Sequence, residues 1–339
     1  MSERTNEILS KKSLIIIEIA WFLIFTIGLI LALYFNEAFY STIPAVRTIF
    51  EVITYLGEDI ILISMVAFFY VIYDKKFAKN LAFSLMASTY LNGVVKDIIK
   101  DPRPTTNIDP TAEHGFTETS YGFPSGHSQN AVATWGYLAY ELKGQSKFKP
   151  FISSLICSIV IFLIASSRII IGVHDMNDIV GGTLIGILFL LAFIYLEPKI
   201  TEKIKPLSLS LKISLSIVAS IVLLIVGMVL FPYQGYGNFV TTAIPYDDVG
   251  PYAQVAGAIL GLSIGYLLEE EYVKYNPSAL DNKQKLINLV VGMVILLVLF
   301  YLLEFFLKIN VITRFIRFAL IAFILTFVVP LIFTKINKK

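Results

Sequence analysis

The chain has 339 residues, of which 56% are hydrophobic and 15% charged. A water-soluble fold of that balance would need an interior far larger than a chain of this length can enclose, so an ordinary soluble domain is excluded and a polytopic membrane protein is indicated. The net charge of +2 excludes little; where the cations sit says more.

A run of about 20 apolar residues crosses a hydrocarbon core about 30 Å thick as a helix, which satisfies its own backbone hydrogen bonds. Ten such segments are predicted, near residues 14–35, 59–73, 79–96, 127–142, 152–171, 176–196, 210–231, 250–268, 286–307 and 312–334. The first ends in Tyr34-Phe35-Asn36-Glu37 without a small-residue cleavage site, so it reads as a retained helix and not a signal peptide. The second, third and fourth are short or polar for lone lipid-exposed spans, which suits helices packed inside a bundle. The fold class expected is therefore all-α: a six-helix unit over residues 1–197, a Lys-rich cytoplasmic linker over 198–209 containing Pro198 and Pro206, and a four-helix extension over 210–339. The single cysteine, Cys157, lies inside an apolar span and reads as a packing residue.

With the N-terminus inside, all but eight of the 27 Lys and Arg fall on the inner side; the exceptions are Arg47, Lys96, Lys100, Arg103, Arg168, Lys308, Arg314 and Arg317. The positive-inside rule then places both termini in the cytoplasm. Lys100, Lys308, Arg314 and Arg317 read as cations snorkelling to headgroups. The outer loop over 97–126 is long for a connection between neighbouring helices, and loops of that length commonly cover a site; its His114, Asp109, Glu113 and Glu118 read as solvated. A second outer loop, 232–249, is aromatic and reads as an interfacial belt. Its Asp247-Asp248 lacks the further ligands a divalent cation would require. In the extension, Gly257, Gly261 and Gly265 recur every four residues, the spacing of close helix contacts within the chain or of a dimer face. Glu269, Glu270 and Glu271 read as a solvated turn, and Glu304 as a partner for Lys308.

Three strings on the outer side carry the chemistry. Lys96 is followed by Arg103-Pro104; then comes Pro124-Ser125-Gly126-His127; then Ser167-Arg168 with His174 and Asp178. Two of the three histidines are among them. A phosphate ester needs cations for its oxygens, a nucleophile for phosphorus and an acid for the departing alcohol: Lys96, Arg103 and Arg168 suit the first need and the two histidines the others. That division of labour calls for no metal ion and no cofactor. His174 and Asp178 are one helical turn apart, so the carboxylate can fix the ring tautomer. Ser125, Gly126 and His127 open a helix, where a capping hydroxyl, a close backbone approach and unpaired N–H groups favour a phosphate. Asp97, Asp101, Asp175 and Asn177 lie beside these positions as candidate supporting groups.

In these strings, and over roughly residues 59–196, the chain resembles the type 2 phosphatidic acid phosphatase (PAP2) superfamily of integral-membrane lipid phosphatases. The resemblance implies that His174 is the nucleophile that becomes a phosphohistidine and that Asp178 orients it. It implies that His127 protonates the leaving oxygen and then activates water. Lys96, Arg103, Ser125, Gly126 and Arg168 are then the phosphate-binding set. The runs Lys96-Asp97, Pro102-Arg103-Pro104 and Tyr121 to Asn130 are also similar to the sphingosine-phosphate phosphatase branch, a likeness that leaves the substrate open among polyprenyl phosphates or diphosphates, phosphatidates and sphingoid phosphates. The expected partners are such a lipid and the bilayer, without nucleic acid, and with a homodimer as an option. Two alternatives stand beside hydrolysis: a lipid-linked phosphotransferase using the same base, and a transport or partner-binding protein with a PAP2-like core.

Overall fold

A computed structural model of the chain describes residues 41–104, 120–142, 150–231, 251–307 and 310–337, with a few helical residues between 16 and 27. Among the described residues every extended regular element is helical. In chain order these are α1 (Pro44–Thr54) with a tight turn Tyr55–Gly57, α2 (Asp59–Ile72), α3 (Lys75–Ile99), and α4 (Gly126–Ala131) running through a wider-wound turn Val132–Gly136 into α5 (Tyr137–Leu142). They continue as α6 (Pro150–Ile170), α7 (Met176–Ile204), α8 (Leu209–Leu230), α9 (Pro251–Leu268) and α10 (Asn282–Leu307). Last come α11 (Val311–Phe323) and α12 (Val329–Ile336), joined by another wide turn at Ile324–Val328.

Helices occur at nine of the ten expected spans; most of the first, 14–35, lies outside the described residues, as do His114, its neighbouring loop acids, Lys308, and the aromatic loop with Asp247-Asp248. Among the described residues six spans are long and apolar enough to cross a membrane by themselves: Ser153–Ile170, Met176–Ile204, Leu209–Leu230, Tyr252–Val273, Asn282–Leu307 and Val311–Ile336. Helix α3 does not qualify alone, and its sequence shows why. Asn80, Ser84, Ser88, Asn92 and Lys96 follow one another at every fourth position and are all buried, so this helix turns a polar edge inward. Helix α8 has the opposite arrangement to a soluble helix: Ser220 and Gly227 are buried while Val218, Val222 and Val229 are exposed. An apolar outer face is what hydrocarbon solvates, and small or polar residues are what let helices approach.

Two features depart from the sequence reading. Helix α1 was not expected. It begins with proline at its first turn, where the missing N–H costs nothing, and carries an Arg47–Glu51 pair at 3.2 Å one turn apart; at 11 residues it is too short to register as a span. Helix α7 also continues through Pro198 to Ile204, so the predicted linker narrows to the few residues before α8, whose first turn Ser208 caps by accepting from the N–H of Leu211.

The chain forms two compact units. The first holds the described residues of 41–58 and 95–194. Within it α1, α4 and the Val132–Gly136 turn pack on α6, and Ala131, Val132, Ile161 and Ile164 form a core with Trp135, Ile187 and Leu190. Cys157 is buried in α6.

The second unit holds the described residues of 59–94, 195–231 and 251–337, so α2 and most of α3 group with the extension. Its centre is α9 against α11. A Cβ built on Gly257 or Gly261 would stand 2.1 Å from the Phe315 carbonyl oxygen or 2.0 Å from that of Ala319, and one on Gly265 2.0 Å from Thr326 Oγ1. The glycine stripe is therefore occupied by α11 of the same chain and is not a face for a second copy. Glu269 is fully buried, contrary to its reading as a solvated residue: its carboxylate accepts from Lys75 Nζ at 2.7 Å and from the Tyr275 N–H at 2.6 Å. Arg317, read as snorkelling, is buried too, donating to the Phe300 carbonyl at 2.9 Å and to Glu304 at 3.1 Å. Arg314 donates to Gln254 at 3.1 Å. Glu304 thus has an arginine partner within its own unit.

Candidate active site

All the motif residues lie in the first unit. The chain leaves α6 at Ile170, turns through Gly172 and enters α7 at Met176, which sets Arg168 and His174 on either side of one bend. The His174 and Val173 N–H groups both donate to the Arg168 carbonyl at 3.2 Å, closing that bend. One turn into α7, Asp178 Oδ2 stands 2.7 Å from His174 Nδ1. A carboxylate there accepts from Nδ1–H and leaves the lone pair on Nε2. Asp178 is held in turn: its N–H donates to Asp175 Oδ1 at 2.9 Å, and its carboxylate accepts from the Asp175 N–H at 3.3 Å.

Arg103 reaches the same ring from the loop after α3. Its Nη1 is 2.9 Å from His174 Nε2 and donates to the Val173 carbonyl at 2.9 Å, while Nε and Nη2 donate to the Ser120 carbonyl and hydroxyl at 2.7 and 2.9 Å. Four bonds fix the guanidinium against the nitrogen that Asp178 leaves unprotonated. His174 is 1% exposed. Burial, then the positive charges of Arg103, Lys96 and Arg168, hold its pKa well below the ordinary imidazole value. The neutral ring, with a lone pair on Nε2, is therefore the form favoured at neutral pH.

The second histidine opens α4. Ser125 caps that helix, its Oγ accepting from the Ser128 N–H at 3.4 Å and the Ser128 hydroxyl at 3.1 Å. The Ser125 N–H donates to the Asp178 carbonyl at 2.9 Å, so any backbone cradle for phosphate oxygens starts at Gly126. This approach needs glycine on α7: a Cβ on Gly182 would lie 2.5 Å from the Ser125 carbonyl oxygen. His127 Nε2 is 3.4 Å from Arg168 Nη1, which also donates to Thr54 Oγ1 at 2.9 Å. On its other side the same Nε2 is 3.2 Å from Glu58 Oε1.

The structure thus groups Arg103, His174 and Asp178 on one side and Arg168 and His127 on the other, with Arg168 and His127 both close enough to act electrostatically on His174. Lys96 differs from expectation in its contacts. Buried at the end of α3, its Nζ donates to the Tyr121 and Gly122 carbonyls, so it fastens the turn ahead of Ser125 and also contributes charge at a distance. Asp101 lies closer in than its reading as a neighbour implied: its Oδ2 and that of Asp178 both flank Gly122, where a built Cβ would stand 3.2 and 3.1 Å from them, and burial followed by Asp175 raises its pKa. Thr54 and Glu58 were missed altogether. They belong to α1 and its turn, outside every motif, and no spacing rule connects them to residues so far along the chain.

A helical membrane protein with a buried histidine–carboxylate pair, a second histidine at a helix start and two converging arginines is the class that fold and site define. The chain belongs to the PAP2 superfamily: the family model of that description matches residues 77–202, and the model described as the PAP2 superfamily phosphatase transmembrane extension matches residues 253–339. Among curated relatives, phosphatidylglycerophosphatase B of Bacillus subtilis is 31% identical over 176 residues, covering 48% of this chain and 78% of its own. Lipid phosphate phosphatase delta of Arabidopsis thaliana is 28% identical, covering 38% of this chain and 32% of its own, and human sphingosine-1-phosphate phosphatase 2 is 28% identical, covering 40% and 34%. The chain therefore spans about a third of the length of the plant and human proteins. A crystal structure of the PAP2-type phosphatidylglycerolphosphate phosphatase of Bacillus subtilis aligns with a TM-score of 0.41 at 24% identity, covering 54% of this chain and 96% of that one.

Proposed function

We propose that the protein hydrolyses a membrane lipid phosphate or diphosphate through a phosphohistidine, without a metal ion, at the extracytoplasmic face. The observation that carries this reading is the His174 ring, held by Asp178 on one nitrogen and faced by Arg103 on the other. A phosphate bound by Arg103 and Arg168 draws Arg103 Nη1 off His174 Nε2 and brings phosphorus to the freed lone pair. Nε2 attacks, the bond from phosphorus to the lipid oxygen breaks, and His127 as an imidazolium gives that oxygen its proton. His127, now neutral, takes a proton from water, whose oxygen attacks phosphorus as the phosphorus–nitrogen bond breaks and its electron pair returns to His174 Nε2. Inorganic phosphate leaves and His174 returns. Asp178 steadies the positive charge on the ring during both steps. The arginines bind the charge that builds on the equatorial oxygens, and a guanidinium can hold two of them at once.

The names of the relatives support a lipid phosphate as substrate, and the placement of Lys and Arg supports cytoplasmic termini with the site outside. Purified protein in detergent with EDTA is expected to release phosphate from at least one member of a panel of polyprenyl, glycero- and sphingolipid phosphates. Vanadate should inhibit, and His174→Ala should abolish release from protein that still folds. Retained turnover in His174→Ala, or dependence on added Mg²⁺, would overturn the mechanism.

A further inference from the structure

We propose that Glu58 is a positioning residue that keeps the proton on the substrate-facing nitrogen of His127, so that the acid of the first step stands ready at neutral pH. This rests on the hydrolytic reading above and adds to it a residue that belongs to none of the three motifs.

Two groups compete for His127 Nε2. Arg168 Nη1, at 3.4 Å, can only donate, so its contact requires a lone pair on that nitrogen. Glu58 Oε1, at 3.2 Å, accepts, so its contact requires a proton there. The contest is uneven, because Glu58 stands nearer than Arg168 and carries the charge opposite to that of the protonated ring, while Arg168 Nη1 keeps its bond to Thr54 Oγ1 at 2.9 Å either way. The protonated ring satisfies Glu58 and costs Arg168 little.

Charge decides the rest. Among the described residues, the titratable and charged groups around His127 include Glu58 on the turn after α1, Arg168 at the end of α6, and His174 on the bend before α7, whose ring is kept neutral by its own surroundings. Of these Glu58 is the negative one. Without it the nearest charge is the buried Arg168 guanidinium, which expels the proton that protonation of the leaving group requires.

The turn is also shaped to the ring. A Cβ built on Gly57 would fall 2.7 Å from His127 Cδ2 and 2.9 Å from Ile164 Cγ2, so only the bare backbone at this position lets the turn lie against the imidazole and bring the next side chain to its nitrogen. The Glu58 side chain is 34% exposed, which leaves it room to swing off when the lipid oxygen arrives for the same proton.

The test is a pH titration of the full-length protein labelled at its three histidines, in detergent, with the His127 signal assigned by its absence in His127→Asn. In Glu58→Gln the His127 pKa is expected to fall by about 1 unit or more, and in Glu58→Asp by less. The proton is needed for the rate, so activity lies below this pKa and is lost above it. Glu58→Gln should therefore move the alkaline limb of kcat/KM to lower pH by the same interval. A His127 pKa that does not move in either variant overturns the proposal. Wild-type protein that turns over none of the lipid phosphates overturns the functional reading instead, and the titration, which needs no turnover, still decides the role of Glu58.

Discussion

His174 is described most fully by what its two nitrogens touch. Asp178 takes the Nδ1 proton at 2.7 Å, Arg103 stands 2.9 Å from Nε2, and burial with the surrounding cations holds the pKa well below its usual value of about 6.5. In the proposed mechanism only the neutral ring attacks phosphorus, so the contribution of His174 is present above its pKa and lost as pH falls through it. The acid limb of kcat/KM is therefore expected below the ordinary imidazole range, and a rate that already halves near pH 6.5 on the acid side would contradict that environment. The pairing of His174 with Asp178 was readable from spacing, because one helical turn separates the two; Arg103 and His127 meet partners 71 and 41 positions away, which no spacing rule reaches, and only the resemblance singled them out. The actual bonds of Lys96 were not readable. A lysine at a helix end has the same sequence appearance whether it faces an anion or the carbonyls of Tyr121 and Gly122.

At the level of helices, hydropathy located the long apolar spans and missed α1, whose 11 residues satisfy no length criterion. It also misjudged the buried charges of the second unit, because an acid beside two others looks solvated until its partner, 194 positions away in sequence, is known. Lys75 and Glu269 form such a pair at 2.7 Å, with the carboxylate side chain fully buried. Removing one partner leaves a charge in low dielectric, whereas removing both leaves none. Lys75→Met is expected to destabilise the protein by about 3 kcal/mol, and Lys75→Met combined with Glu269→Gln to recover most of that. Unfolding midpoints of the two variants in detergent provide the check; equal losses in both would show that the pair contributes little. The glycine stripe on α9 was legible as a close-contact surface, but which helix lies on it was not, since spacing specifies an approach and not a partner.

For the whole molecule, the proposed orientation rests on the asymmetric distribution of Lys and Arg between the two sides, and it can be tested without turnover. With Cys157 replaced by Ala, Lys203→Cys should react with a membrane-impermeant maleimide only after cells are opened, and Ile312→Cys should react in intact cells. The reverse pattern would invert the protein and move the site to the cytoplasm. The division into two compact units was not apparent in chain order, because α2 and most of α3 group with the helices of the extension although they precede the motifs. Within the first unit, the bond from the Ser125 N–H to the Asp178 carbonyl ties the start of α4 to the first turn of α7. The two imidazoles thus sit beside helix ends that a backbone bond holds together, so a displacement of either end carries the other with it.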